Sequence, residues 1–253
     1  MSMLTRSAPA VGALALSLLG LLGSLASQAN AQTADELIAK NLAARGGKDK
    51  IMAIQSARIS GQINLGRGAE GPFIKEWRRP NLTRLEFTLM GMTAVQAYDG
   101  TGGWAIMPFH GGGPEPQAMP QAQLDQFLES ADLDGPLVKP EQKGLKIEAA
   151  GQETIDGTPA FRLKLTHKNG DVSFLYLDAK TYLAFKEVGT SSAGGEAHEF
   201  ERSMSDYKAV RGVLFSFAGE RKPKGAISGQ TTIVDKIELD TDEPANRFTM
   251  PKP

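Results

Sequence analysis

The chain has 253 residues, with 28 Lys and Arg against 29 Asp and Glu, for a formal net charge of −1. So even a balance gives no broad electrostatic hold on nucleic acid or an anionic membrane. Cysteine is absent, which excludes disulfides, thiolate catalysis, cysteine-ligated zinc and lipid attachment to an N-terminal cysteine. The 28 glycines and 14 prolines exceed the usual share and fit many turns between strands better than a helical bundle.

Residues 1–31 carry one charged side chain, Arg6, ahead of an uncharged run over 8–27 rich in leucine and alanine. Ala29-Asn30-Ala31 closes the run with the small-x-small pattern that signal peptidase accepts. The sequence therefore predicts a signal peptide over 1–31, cleaved before Gln32. The run could just span a bilayer, but its glycines, serines and cleavage box favour removal. The mature chain, 32–253, is expected to be a single exported domain, soluble in a bacterial periplasm.

Thr33-Ala34-Asp35-Glu36 has the form of a capping box. Leu37, Ile38, Leu42 and Ala44 follow at helical spacing, and Gly46-Gly47 supplies a stop. A short second helical turn is expected over 48–54. From Ala57 the period changes to two. Ile59, Gly61, Ile63 and Leu65 alternate with polar residues, as do Leu85, Phe87 and Leu89, and again Phe161, Leu163 and Leu165. Alternation of this kind marks antiparallel strands with one wet and one apolar face. Turn dipeptides recur at hairpin intervals: Pro80-Asn81, Asp99-Gly100, Asp156-Gly157, Asn169-Gly170 and Arg211-Gly212. Eleven or twelve strands are expected. Between 108 and 140 the pattern breaks into a glycine-rich loop and a short helix over 120–130, with Leu124, Phe127 and Leu128 on one stripe. The predicted class is mainly β with some helix (α+β): one large antiparallel sheet with a few helices laid on it.

Motifs with catalytic chemistry fail on context. His110-Gly111-Gly112-Gly113 resembles an esterase oxyanion loop, yet no G-x-S-x-G nucleophile elbow exists. Gly66-Arg67-Gly68-Ala69-Glu70-Gly71 matches a dinucleotide-loop pattern, but a strand-like run follows instead of the helix that would hold a pyrophosphate. Strand phase sends Glu196 and His198 to one face and Glu199 and Glu201 to the other, so they do not converge on a metal. No basic stripe interleaves with aromatics for an oligonucleotide. The expectation is no catalytic residue, no metal, no cofactor, no nucleic-acid partner and no enzymatic activity.

What remains is the apolar face. A twisted sheet this wide presents one curved hydrophobic surface that a few helices cover only in part. It serves either as an ordinary packed core or as the lining of an incomplete barrel with helices as a lid. In Phe73-Ile74-Lys75-Glu76-Trp77-Arg78-Arg79, phase puts Phe73, Lys75, Trp77 and Arg79 on one side. An inward Arg79 needs acceptors, and carbonyls of a covering helix or loop are the natural supply.

Trp77-Arg78-Arg79-Pro80-Asn81-Leu82, followed by Tyr98-Asp99-Gly100 and Trp104, resembles the signature of LolA-type periplasmic lipoprotein carriers. Downstream, 176–183, Asp206-Tyr207 ahead of 212–215, and Phe248-Thr249-Met250-Pro251 are similar to the wider group of outer-membrane lipoprotein-sorting proteins. The resemblance implies an unclosed half-barrel with lid helices and a cavity for acyl chains of lipoproteins or other lipids. It implies that Arg79, matching the arginine before the proline, bonds the lid and keeps the empty cavity shut. Strand or helix phase then nominates Leu85, Phe87, Leu89, Trp104, Ile106, Phe127, Phe161, Leu163 and Leu165 as lining. Phe174 and Tyr176 belong to a strand apolar on both faces and are weaker candidates. The implied partners are an inner-membrane donor complex and an outer-membrane acceptor, with the protein itself a monomer. The alternative is a non-enzymatic envelope structural protein with a packed core. The insertion at 110–116 and the long C-terminal half depart from the compact carriers and leave the cargo open.

Overall fold

The structure is a computed structural model that describes residues 32–66, 68–109, 112–192 and 195–252. The signal-peptide expectation over 1–31, and any role for His110, lie outside the described residues. The first helix, α1 (Ala34–Ala44), begins as the sequence predicts: the Thr33 amide donates to Glu36 Oε2 at 2.9 Å, and the Glu36 amide donates to Thr33 Oγ1 at 3.2 Å. It stops at Gly46, whose φ of 111° is a region where a side chain is strained. A Cβ there would also stand 2.1 Å from the Gly212 carbonyl oxygen, so glycine lets the helix end abut the sheet. The second helix, α2 (Lys48–Ala53), follows directly.

The strands then run β1 (Ser56–Asn64), β2 (Glu70–Arg78), β3 (Leu82–Leu89), β4 (Met92–Tyr98), β5 (Gly103–Ile106) and β6 (Gln117–Ala118). Helix α3 (Gln121–Ala131) interrupts them, one residue beyond its expected span. After it come β7 (Lys146–Ile155), β8 (Thr158–Thr166), β9 (Val172–Asp178), β10 (Ala184–Ser191), β11 (His198–Val210), β12 (Val213–Pro223) and β13 (Gln230–Leu239). Among the described residues the count is thirteen, above the expected eleven or twelve. Two-residue β6 lies in the stretch expected to be loop, where Gln117 and Ala118 pair with Ala105 and Trp104.

All thirteen strands form one antiparallel sheet in the order β6-β5-β4-β3-β2-β1-β13-β12-β11-β10-β9-β8-β7. The edges are β6 and β7, which do not pair, so the sheet is an unclosed half-barrel. The first strand and the last meet at its centre. Their register slips between Ser60 and Gly61, where a Cβ on Gly61 would come within 2.0 Å of the Ile233 oxygen. Cross-strand partners share a face, so the registers define one concave apolar face. It runs from Leu85 and Phe87 through Phe73, Ile59 and Ile237 to Phe215, Leu175 and Leu163.

The helices lie on that face. Leu42 of α1 and Ile51 of α2 pack with Val213, Phe215, Phe217 and Ile237. Leu37, 1% exposed, packs from the same helix on Phe161, Leu163, Leu165, Leu175 and Leu177. One helix therefore bridges two parts of the sheet, helped by Asn41 Nδ2, which donates to the Tyr182 carbonyl at 2.7 Å. Leu124 and Phe127 of α3 pack on Ala105 and Met119, with Leu85 and Tyr98 at the margin. Among the described residues no helix is long and apolar enough to cross a membrane.

Candidate functional site: the roofed concave face

Seven of the nine residues nominated as lining lie on the helix-covered side. Phe87 and Leu89 form one lobe with Ile63, Phe73 and Ala94, and Leu85 joins this lobe to the α3 cluster around Phe127. Phe161, Leu163 and Leu165 form a second lobe under α1. A cleft of about 440 Å³ between α1 and edge strand β7, lined in part by Ile38 and Ile147, leads off this second lobe.

Trp104 and Ile106 do not belong to that face. Trp104 pairs with Ala97 and Ile106 with Val95, whereas Ala105 between them pairs with Gln96 and turns inward. The two side chains lie on the convex side with Val95 and Ala97. The C-terminal segment crosses there: Trp104 Nε1 donates to the Phe248 carbonyl at 2.7 Å, and Phe248 is fully buried. Glu76, 1% exposed, accepts from Arg58 Nη1 at 2.6 Å and from Arg247 Nε at 2.8 Å on the same side. The four-residue strand β5 is apolar at Trp104, Ala105 and Ile106 alike, so period two could not tell its faces apart. Phe174 and Tyr176 also turn away from the concave face, in register with Lys164 and Arg162; Arg162 stacks over the Phe174 ring at 5.1 Å.

Arg79 sits where the phase of β2 puts it. Its Nε donates to the Ile54 carbonyl at 2.8 Å and its Nη2 to the Ile51 carbonyl at 3.3 Å, both at the end of α2. The guanidinium also grips Asp134 as a fork: Nη1 to Oδ2 at 3.0 Å and Nη2 to Oδ1 at 2.9 Å. Its guanidinium carbon lies 4.8 Å from the centre of the Trp77 ring. The Arg79–Pro80 peptide is cis. Asp134 belongs to the loop after α3, and Arg45 Nη1 holds its carbonyl at 2.7 Å. Burial lowers the pKa of Arg45, and Tyr207, Asp134 and Asp132 act against that effect. Leu137 and Val138 of the same loop are inserted into the two cores beneath α1. Helix carbonyls were the expected acceptors; the Asp134 carboxylate was not foreseen, because Asp134-Gly135-Pro136 reads only as a turn.

The concave face also carries charge. Lys75 shares it with Phe73 and Trp77, and burial first, then Arg202, pushes its ammonium down to about 8, with Asp132 opposing. Glu187 pairs in register with Leu175 and with Arg202, and Arg202 with Arg221. Strand phase had put Lys75 on this side, whereas Glu187, Arg202 and Arg221 gave no local signal in the sequence. Among the described residues no group of three or more His, Asp or Glu is placed to hold a metal.

No family model matches the chain, and no curated protein does either. Solved structures do match. A LolA superfamily protein from Nitrosomonas europaea superposes with a TM-score of 0.53 at 14% identity, over 87% of this chain and 98% of that one. A DUF1329 family protein from Desulfovibrio piger gives 0.58 at 14%, over 83% and 95%. A Vibrio parahaemolyticus domain named for outer membrane lipoprotein sorting gives 0.55 at 11%, over 83% and 97%. With its unclosed antiparallel sheet and roofed concave face, the chain has the LolA-like fold.

Proposed function

We propose that residues 32–253 are a periplasmic carrier that shields acyl chains of lipoproteins or other lipids on the concave face and passes them toward the outer membrane without covalent chemistry. The observation that carries this reading is the roof: α1, α2, α3 and the loop at 132–138 cover a continuous apolar surface, and Arg79 ties that loop to α2. Leu85, Phe87, Leu89, Phe127, Phe161, Leu163 and Leu165 are the lining in this reading, and Arg79 is the lock. A charge-assisted hydrogen bond contributes roughly 1.5–3 kcal/mol. A dozen buried methylenes contribute on the order of 10 kcal/mol. One acyl chain therefore offsets the opening of the roof, while the closing bonds favour its release. An inner-membrane donor complex and an outer-membrane acceptor are the partners, and the protein acts as a monomer.

The test is native mass spectrometry on the protein purified gently from periplasm, followed by solvent extraction and by uptake of a hydrophobic dye. Bound mass resolving into lipid or lipoprotein, or dye uptake reversed by lipid, supports the carrier. A clean unliganded mass together with no dye uptake rejects it in favour of a packed envelope structural protein.

A further inference from the structure

Between the two apolar lobes the concave face carries charge as well as the apolar cluster of Phe215, Phe217 and Ile237. Over β10, β11 and β12 it presents Glu187, Arg202 and Arg221, and Lys75 faces them from β2. These groups sense one another. Arg202 lowers the pKa of both Lys75 and Arg221, next after desolvation in each case. The Arg202 side chain is 47% exposed and comes within 4.0 Å of Glu187. Arg221 stacks on Phe200 with its guanidinium carbon 4.0 Å from the ring centre. Three cations thus share this face, and solvent reaches Arg202 and Arg221.

Two carboxylates that balance them belong to the roof. Glu129 of α3 accepts from Ser191 Oγ on β10 at 3.3 Å and draws on Arg221. Asp132, the residue capping the C-terminus of α3, draws on Lys75, and it also pairs with Lys143 at 2.6 Å. Glu187, beside Arg202, belongs to the sheet. Helix α3 therefore reaches from its apolar seat near β5 across to β10, carrying negative charge to a positive wall. Lifting α3 takes the carboxylates Glu129 and Asp132 away from Lys75 and Arg221 and leaves Arg202 beside Glu187. Like charges so arranged favour an incoming anion.

We propose that the amphiphile carried on this face has an anionic oxygen headgroup, carboxylate or phosphate, which Lys75, Arg202 and Arg221 bind in place of the α3 carboxylates Glu129 and Asp132. Its acyl chain then lies along the apolar lobes on either side. This proposal rests on the carrier reading above and specifies the class of cargo.

The experiment is displacement of the neutral dye Nile red from the purified protein by ligands of one chain length. Palmitate and palmitoyl lysophosphatidate are the anionic arms; 1-monopalmitin and hexadecanol are the neutral ones. The expected result is that at least one anion displaces the dye at a concentration ten-fold or more below the neutral ligands, and whichever anion does so identifies carboxylate or phosphate. The preference should fall below three-fold in an Arg202→Gln/Arg221→Gln double variant, whose two sites are exposed and leave the core intact, and again in Lys75→Met. Glu129→Gln should strengthen anion binding several-fold. Equal displacement by all four ligands overturns the headgroup assignment and leaves the carrier reading standing. An anion preference that persists in the folded double variant also overturns it. No uptake of Nile red by the protein overturns both.

Discussion

Arg79 and Asp134 hold each other through two parallel hydrogen bonds, 3.0 and 2.9 Å long, although 55 residues separate them in the chain. Arg79 directly follows the second strand of the sheet, and Asp134 lies in the loop that leads from α3 back to β7. The same guanidinium gives two further donors to the carbonyls of Ile51 and Ile54 at the end of α2. A single side chain therefore ties together sheet, helix and roof loop.

Breaking this tie should loosen the roof before it unfolds the sheet. Arg79→Leu and Asp134→Ala are each expected to speed exchange of a bound dye and to expose 108–140 to limited proteolysis. A double-mutant cycle on the denaturation midpoint should give a coupling of about 1–3 kcal/mol. Strictly additive effects, or unchanged exchange in a folded Arg79→Leu protein, would remove the locking role.

Trp104 and Phe248 make a different prediction, because they lie on the convex side. Trp104→Phe deletes an indole donor at 2.7 Å from a buried carbonyl and should cost about 1–3 kcal/mol in urea unfolding. Phe248→Ala should cost about 3–5 kcal/mol. Ligand uptake by the folded fraction should be unaffected in both, whereas Phe87→Ala should weaken it. A loss of uptake in Trp104→Phe at full folding would contradict the register.

Arg58 and Arg247 both converge on Glu76 at hydrogen-bond distance. Glu76→Ala leaves those cations without their buried partner and is expected to destabilise by about 3–5 kcal/mol. Cleavage of the C-terminal segment after 243 by a protease should appear at lower urea than in the parent. A cost under about 1 kcal/mol would show that water screens the group.

Lys75 gives the fold an alkaline response. Its pKa is pushed down to about 8 by burial and by Arg202, with Asp132 opposing, from an ordinary value of 10.5. The native state therefore loses this proton first. Between about pH 8 and 10.5 the unfolded chain binds more protons, so stability rises with pH by up to about 3 kcal/mol. Urea midpoints at pH 7.5 and 9.5 should show the rise, and Lys75→Met should flatten it. An equal rise in that variant would assign the effect to another group.

Much of the architecture follows from local patterns. The capping box at Thr33 and Glu36, the stop at Gly46 and the hairpin dipeptides such as Asp99-Gly100 and Asn169-Gly170 all act within a few residues, and each is found in place. Period two was decisive where a strand alternates cleanly, as in β3 and β8. It failed in β5, where Trp104, Ala105 and Ile106 are all apolar and only cross-strand register tells which one turns inward.

The sequence by itself thus determined the class of the fold, the order of its elements and the inward direction of Arg79, because side-chain alternation and capping are short-range physics. The tertiary structure alone decided which charges meet. Asp134 finds Arg79, Arg247 finds Glu76, and Lys75 comes to face Arg202 only after β1 pairs with β13 and closes the centre of the sheet. Those pairings depend on distance through space, and no spacing along the chain encodes them.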